Sequence, residues 1–124
     1  MNTQGIEEVK ISLWNADDPD NPIYFPISGE LITEHLAITP TVIRPAGDVC
    51  FRGSWQVTHL PTGLAIPRTE RDDIEEVESL ARALADLAID WSSPEVDAWR
   101  QNTGAAVAVV DAIKAHDDEW RADE

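Results

Sequence analysis

The spacing of the apolar residues changes once along this chain, from a repeat of two to a repeat of three and four. Near the start, Val9, Ile11 and Leu13 alternate with polar residues, which is the period of a half-buried strand. Beyond residue 69 the spacing is helical, and the positions that carry it are Ile74, Val77, Ala81, Leu84, Ala88 and Trp91. We therefore predict an α+β fold, in which a small antiparallel sheet from residues 1–68 is packed on one face by two C-terminal helices.

A hairpin is the clearest local signal in the front half. Residues 54–60 are rich in β-branched and aromatic side chains, and a Pro-Thr-Gly turn at 61–63 leads into a second short strand at 64–66. Alternation predicts that Trp55, Val57 and His59 share one face of this hairpin, and that Gln56, Thr58 and Leu60 share the other. An earlier β-prone segment, 23–27, contains Pro26, which cannot donate to a ladder, so we expect an edge strand there.

The back half predicts two helices over residues 69–120, with a frayed tail at 121–124. Thr69 is the expected N-cap of the first helix, which then continues for about five to six turns to Trp91. A capping signal at 92–95 starts the second helix, and its expected core positions are Val96, Trp99, Thr103, Ala106, Val110 and Ile113. The whole chain, 1–124, has the length of one domain.

The formal charge is −15, from 24 acidic and 9 basic residues. Such a chain lacks the basic surface that direct nucleic-acid binding or docking on an anionic membrane requires. The charge is uneven, because residues 41–69 are weakly basic between two acidic blocks. Three explanations stay open: a charge that serves solubility, an adaptation to high salt, and a surface that binds a basic partner or imitates nucleic-acid phosphate.

Cys50 is the single cysteine, so no disulfide forms within one chain. The first residues lack the pattern of a signal peptide, and no apolar run approaches the length that spans a bilayer. These features predict a cytoplasmic protein.

No motif points to a particular chemistry. The three histidines have no zinc-ligand spacing, and the aspartate-rich loop at 17–20 lacks the glycine and the distant glutamate of a calcium loop. The glycines do not form a phosphate loop. We therefore expect no catalytic residue, no metal and no cofactor, and the chain resembles no named family.

Two surfaces are candidate binding sites. The first is a patch around the weakly basic hairpin, made of Arg52, Trp55, Thr58, His59 and Arg68. The second is an acidic face at the start of the first long helix, made of Asp72, Asp73, Glu75 and Glu76. The favoured function is a non-catalytic module that binds another protein, of a kind common among phage and mobile-element products, and self-association is compatible with it. The alternatives are a nucleic-acid mimic that binds a basic protein, and a small enzyme that uses His59 in a sheet–helix cleft.

Overall fold

The computed structural model describes residues 6–13, 18, 20–21, 23–43, 50–92 and 103–122. Its elements are β1 (Ile6–Leu13), β2 (Ile23–Leu31), β3 (Leu36–Ile43), β4 (Cys50–His59), β5 (Leu64–Ala65), α1 (Ile74–Ala85) and α2 (Thr103–Ala122). The strands form one antiparallel sheet in chain order, which confirms the predicted α+β class. Within the described ranges, no helix is long and apolar enough to cross a membrane.

The sheet curls until β1 reaches the turn between β4 and β5. There the backbone N–H of Ser12 donates to the carbonyl oxygen of Gly63, at 2.7 Å. The concave side of the curl is filled by an apolar cluster in which Val9, Ile11 and Ile27 are buried. The described members of this cluster come from strands and from the turn after β4, so the curl of the sheet itself provides their burial.

The convex side of the sheet carries the larger core. Ile38 of β3 and Val57 of β4 are buried there against the apolar stripe of α1. The helical members of this core are Val77, Leu80, Ala81, Leu84, Val109 and Ile113. The predicted division of the hairpin faces agrees with this packing, since Val57 and Trp55 contact the helical side while Leu60 packs inside the curl.

The strand containing Pro26 is not at the edge of the sheet. β2 pairs with β1 over its first eight residues, where Pro26 lies opposite Lys10, and it lies between β1 and β3 in the strand order. However, β2 and β3 pair only through Glu30–Ile38 and Leu31–Ala37 among the described residues. Pro26 therefore lies in a stretch of β2 that has no ladder on its β3 side, which is why its missing N–H is tolerated.

A bulge in β4 interrupts its pairing with β3. Pro40 lies opposite Trp55 and Val42 lies opposite Phe51, so three residues of β4, 52–54, face one residue of β3. Gly53 in this bulge has φ +81°, a conformation that costs little for glycine. Bulges redirect side chains at the rims of sheets, and this one places Arg52 beside the groove described below.

The first helix is shorter than the sequence predicts. Asp73, not Thr69, is its N-cap, and the Asp73 side chain accepts from the backbone N–H of Glu75 at 2.9 Å. The Thr69 hydroxyl is instead buried, where it accepts from the Val57 N–H at 3.1 Å. α1 ends at Ala85, so Ala88 and Trp91 lie beyond it.

Trp91 folds back into the core just after α1 ends. Its indole N–H donates to the carbonyl oxygen of Leu84 at 3.3 Å, which also accepts from the Leu87 N–H at 3.2 Å. The indole thus adds a second hydrogen bond to a carbonyl in the last turn of the helix. The sequence therefore predicts the burial of Trp91 correctly and its secondary structure wrongly.

The second helix, α2, agrees with its prediction at one core position and differs at another. Ile113 is buried as predicted, but Val110 is 45% exposed and its neighbour Val109 is buried in its place. α2 continues to Ala122, into the tail that was expected to fray. The predicted core positions 96 and 99, and the capping residues 93–95, lie outside the described residues.

Substitutions at Gly63 and Gly53 test how closely β1 approaches the turn between β4 and β5. Both have positive φ, but a Cβ on Gly63 would lie 3.0 Å from the Ser12 nitrogen and 3.1 Å from the Lys10 oxygen, whereas a Cβ on Gly53 meets nothing within 4 Å. We expect Gly53→Ala to lower the free energy of unfolding by about 1 kcal/mol, from backbone strain alone. Gly63→Ala should lower it by about 3 kcal/mol, because β1 must also move.

Urea unfolding of both variants measures this difference. Equal losses of stability would contradict the close approach of β1 to the β4–β5 turn.

Candidate functional site

Arg71 lies where the sheet and both helices meet. Its backbone forms an isolated bridge to Trp55 of β4, in which each N–H donates to the carbonyl oxygen of the other residue at 2.8 Å. This bridge extends the hydrogen bonding of β4 just before α1 begins. The backbone of Arg71 is thereby fixed to the sheet, three residues before the first turn of α1.

All three nitrogens of the Arg71 guanidinium are hydrogen-bonded within the protein. Nε donates to Glu76 at 3.1 Å, and Nη2 lies 2.8 and 3.0 Å from the two carboxylate oxygens of Asp117. Nη1 donates to the backbone oxygens of Arg68 and Glu70 at 2.8 and 2.7 Å. Because each nitrogen bonds to another part of the chain, we interpret Arg71 as a structural link.

Two grooves flank this link, and both are lined by Arg71 and Arg121. We call the first, of about 560 Å³, the acidic groove; its carboxylates are Glu70, Asp72, Asp73 and Glu76. Its remaining side chains are Trp120 and three arginines, which makes its formal charge −1. We call the second, of about 680 Å³, the basic groove; it has four basic and two acidic side chains, a formal charge of +2.

Ion pairs fix one wall of the acidic groove. Arg52, on the bulge of β4, pairs with Glu70 at 3.2 Å, and the Ser54 hydroxyl donates to the same carboxylate. Trp120 forms another part of the lining and stacks on His116, with ring centres 5.7 Å apart. The groove thus combines fixed carboxylates with an aromatic ring.

The predicted hairpin patch does not form one surface. Thr58 is fully buried inside the curl, where its hydroxyl lies 2.7 Å from that of Thr39, and His59 is buried on the convex side. Arg52 lines the acidic groove and Arg68 lines the basic groove. The Trp55 side chain packs against the helical core.

His59 is held by two hydrogen bonds between sheet and loop. Its Nε2 lies 2.6 Å from the carbonyl oxygen of Trp91, and its Nδ1 lies 2.9 Å from the hydroxyl of Thr62. Since a carbonyl can only accept, Nε2 carries the proton and Nδ1 of the neutral ring accepts from Thr62. Burial lowers the pKa of His59 below its ordinary value, and this outweighs the opposing effect of the Trp91 hydrogen bond. His59 lines neither groove.

The predicted acidic face is divided between structural and exposed carboxylates. Asp72, Asp73 and Glu75 are exposed, although Asp73 also caps α1. Glu76 is held by Arg71 and is mostly shielded from solvent. Asp72 and Glu75 have no ion pair with any base in the described part of the chain.

A serine, a histidine and an aspartate meet between the helices. His116 Nε2 lies 2.9 Å from the Ser79 hydroxyl, and its Nδ1 lies 3.6 Å from an oxygen of Asp117. These residue types are those of a nucleophilic triad, but neither Ser79 nor His116 lines a groove. Asp117 is also committed to Arg71. We interpret this group as a polar contact that joins α1 to α2.

Among the described residues, no three histidine, cysteine or acidic side chains converge in a way that could hold a metal ion.

Comparisons with protein-family models, with curated proteins and with solved structures found no significant match to this chain.

Sequence reasoning missed the residues that organise this site. Arg71 is the only base in the stretch from 69 to 81, and a single arginine among many acids is a signal of an internal ion pair. Its partner Asp117, however, is 46 positions away, and nothing in the sequence joins the two. Lys114 and Arg121 were likewise not singled out, since each is one charge on a helix surface.

Arg71→Lys tests the structural link. Lysine keeps the charge but offers three donors from a single nitrogen, so it cannot satisfy two carboxylates and two carbonyls together. We expect the free energy of unfolding to fall by about 2–3 kcal/mol, because the pairs with Glu76 and Asp117 are largely shielded.

Arg82→Lys is the matched control. Arg82 pairs with Glu78 one turn away on an exposed surface, so the expected loss is at most about 0.5 kcal/mol. Both variants are measured by urea unfolding. Similar small losses in the two variants would show that Arg71 is not a link of this kind.

The buried His59 makes stability depend on pH. Its lowered pKa means that the unfolded chain takes up a proton first, below about pH 6.5, so the stability is complete above this pH and is lost as pH falls towards the folded pKa. His59→Gln retains a donor for the Trp91 carbonyl but does not titrate.

The difference in unfolding free energy between the wild type and His59→Gln should therefore shrink from about pH 7 to about pH 5. Because other titrating groups are common to both chains, their effects cancel. A difference that stays constant over this range would mean that His59 is not shielded from protonation.

Proposed function

We propose that this protein is a non-catalytic interaction module that binds a basic segment of a partner protein in the acidic groove. The observation that carries the proposal is the composition of this groove, in which four carboxylates and Trp120 line one concave surface. Lysine and arginine side chains are attracted both to carboxylates and to the face of a tryptophan ring.

The carboxylates around the groove differ in how available they are to a partner. Two of the carboxylates, Glu70 and Glu76, are already paired with arginines, so they shape the groove more than they attract a ligand. Asp72 and the neighbouring Glu75 are exposed and have no such pair among the described residues. A basic side chain of the partner would reach these two carboxylates first.

The two alternatives have less support. A nucleic-acid mimic needs a row of available carboxylates, and here Glu76 is held by Arg71 while Asp73 caps α1. An enzyme using His59 needs substrate access to the imidazole, which is 3% exposed and bonded at both ring nitrogens.

Charge reversal at the groove tests the proposal. The probe is a fluorescein-labelled octa-lysine peptide, whose binding is followed by fluorescence anisotropy at low salt. The double variant Asp72→Lys with Glu75→Lys should weaken binding about tenfold or more, because it removes the two available carboxylates and adds repulsion.

The control is Asp111→Lys with Glu119→Lys, which makes the same change in net charge at two exposed positions of α2. It should weaken binding by no more than about threefold, through the general field of the protein. Equal weakening by the two double variants would mean that the peptide responds to net charge and that the acidic groove is not its site.

A further inference from the structure

The basic groove has a charge opposite to that of the chain that forms it. The protein carries −15, yet the charged side chains of this groove are Arg68, Arg71, Lys114, Arg121, Asp117 and Asp118, a formal +2. Four of the chain's nine bases therefore converge on one concave surface. In a strongly acidic protein, such a local reversal of charge attracts small anions that the rest of the surface repels.

Three of these bases are available to a ligand. Arg71 and Asp117 neutralise each other through the two-point ion pair. Within the described ranges, no carboxylate pairs with the side chain of Arg68, Lys114 or Arg121, although Asp118 is one helical turn from Lys114. The three cations are thus opposed in the groove by the single charge of Asp118.

The backbone of Arg68 is held in an uncommon conformation. Its φ of 69° lies in the left-handed region, which non-glycine residues adopt at a cost and which occurs more often at functional sites. The Arg71 guanidinium fixes the Arg68 carbonyl at 2.8 Å. The same link that joins the helices to the sheet therefore also holds the backbone from which the Arg68 side chain extends into the groove.

The groove also has an apolar side. Val110 lines it and is 45% exposed, and Ile113, which lines it too, is buried. The volume of about 680 Å³ is within the range of sites that bind small molecules. An inorganic anion would leave Val110 in water, whereas an organic anion would cover it.

We propose that the basic groove binds a small organic anion, with its carboxylate, sulfate or phosphate group against Arg68, Lys114 and Arg121 and its apolar body on Val110. The two grooves share Arg71 and Arg121, but Arg68, Lys114 and Val110 line the basic groove alone.

The probe is 1-anilinonaphthalene-8-sulfonate, whose fluorescence rises when its rings leave water. The folded wild type should bind it in a saturable manner, and decyl sulfate should displace it. Decanol and inorganic sulfate should each displace the probe with an affinity at least about tenfold weaker than that of decyl sulfate. Decanol lacks the anionic group, and inorganic sulfate lacks the apolar body. Equal displacement by decanol, or by inorganic sulfate, would overturn the proposal.

The double variant Arg68→Gly with Lys114→Gln should bind the probe about tenfold more weakly. Glycine suits the positive φ at position 68, and the carbonyl that Arg71 holds is retained. The control, Lys10→Gln with Arg82→Gln, removes the same charge at two exposed positions outside both grooves and should change binding less than about twofold.

Near-ultraviolet circular dichroism verifies that each variant is folded. If the double variant is not folded, Lys114→Gln alone serves, with an expected loss of about threefold. Equal effects of the groove variant and its control would overturn the proposal. Sedimentation tests whether a second copy of the chain occupies the groove instead. The proposal would be overturned if the wild type were a dimer that binds no probe and if the groove variant, but not its control, were a monomer.

Discussion

The hydrogen bonds of the Arg71 guanidinium join both helices and the segment before α1 at one point. Through Glu76 and Asp117 this side chain connects α1 to α2, and its backbone bridge to Trp55 connects both helices to β4. Apolar packing between the helices and the sheet is not directional. The planar guanidinium makes directional hydrogen bonds, so it adds a fixed geometry to the apolar packing of the helices on the sheet.

The two grooves follow from this link. Arg71, bonded through all three guanidinium nitrogens, lies between the carboxylates of the acidic groove and the cations of the basic groove. An acidic groove with a tryptophan and a basic groove with an exposed valine suit ligands of opposite charge, which is the basis of both proposals made above.

The sequence predicts those features that depend on local periodicity. The alternation around Val9 and Ile11 indicates a strand, and the hairpin faces of Val57 and Leu60 follow from the same rule. The sequence does not predict features that depend on contacts between residues outside one local pattern. The return of Trp91 to the core, where its indole reaches Leu84, is not encoded in the helical spacing. The patch predicted around Thr58 and His59 is divided, because neighbouring strand residues face opposite sides of the sheet. The site itself depends on a contact between Arg71 and Asp117 that no local pattern encodes.

Nuclear magnetic resonance of the arginine side chains tests the role of Arg71 most directly. A guanidinium whose three nitrogens are all hydrogen-bonded rotates slowly about its Nε–Cζ bond and exchanges its protons slowly with water. We predict separate, persistent Nη–H signals for Arg71 at neutral pH, whereas Arg82, with its one exposed ion pair, should give averaged signals. Averaged, rapidly exchanging signals for Arg71 as well would contradict the account of this arginine as the link between sheet and helices.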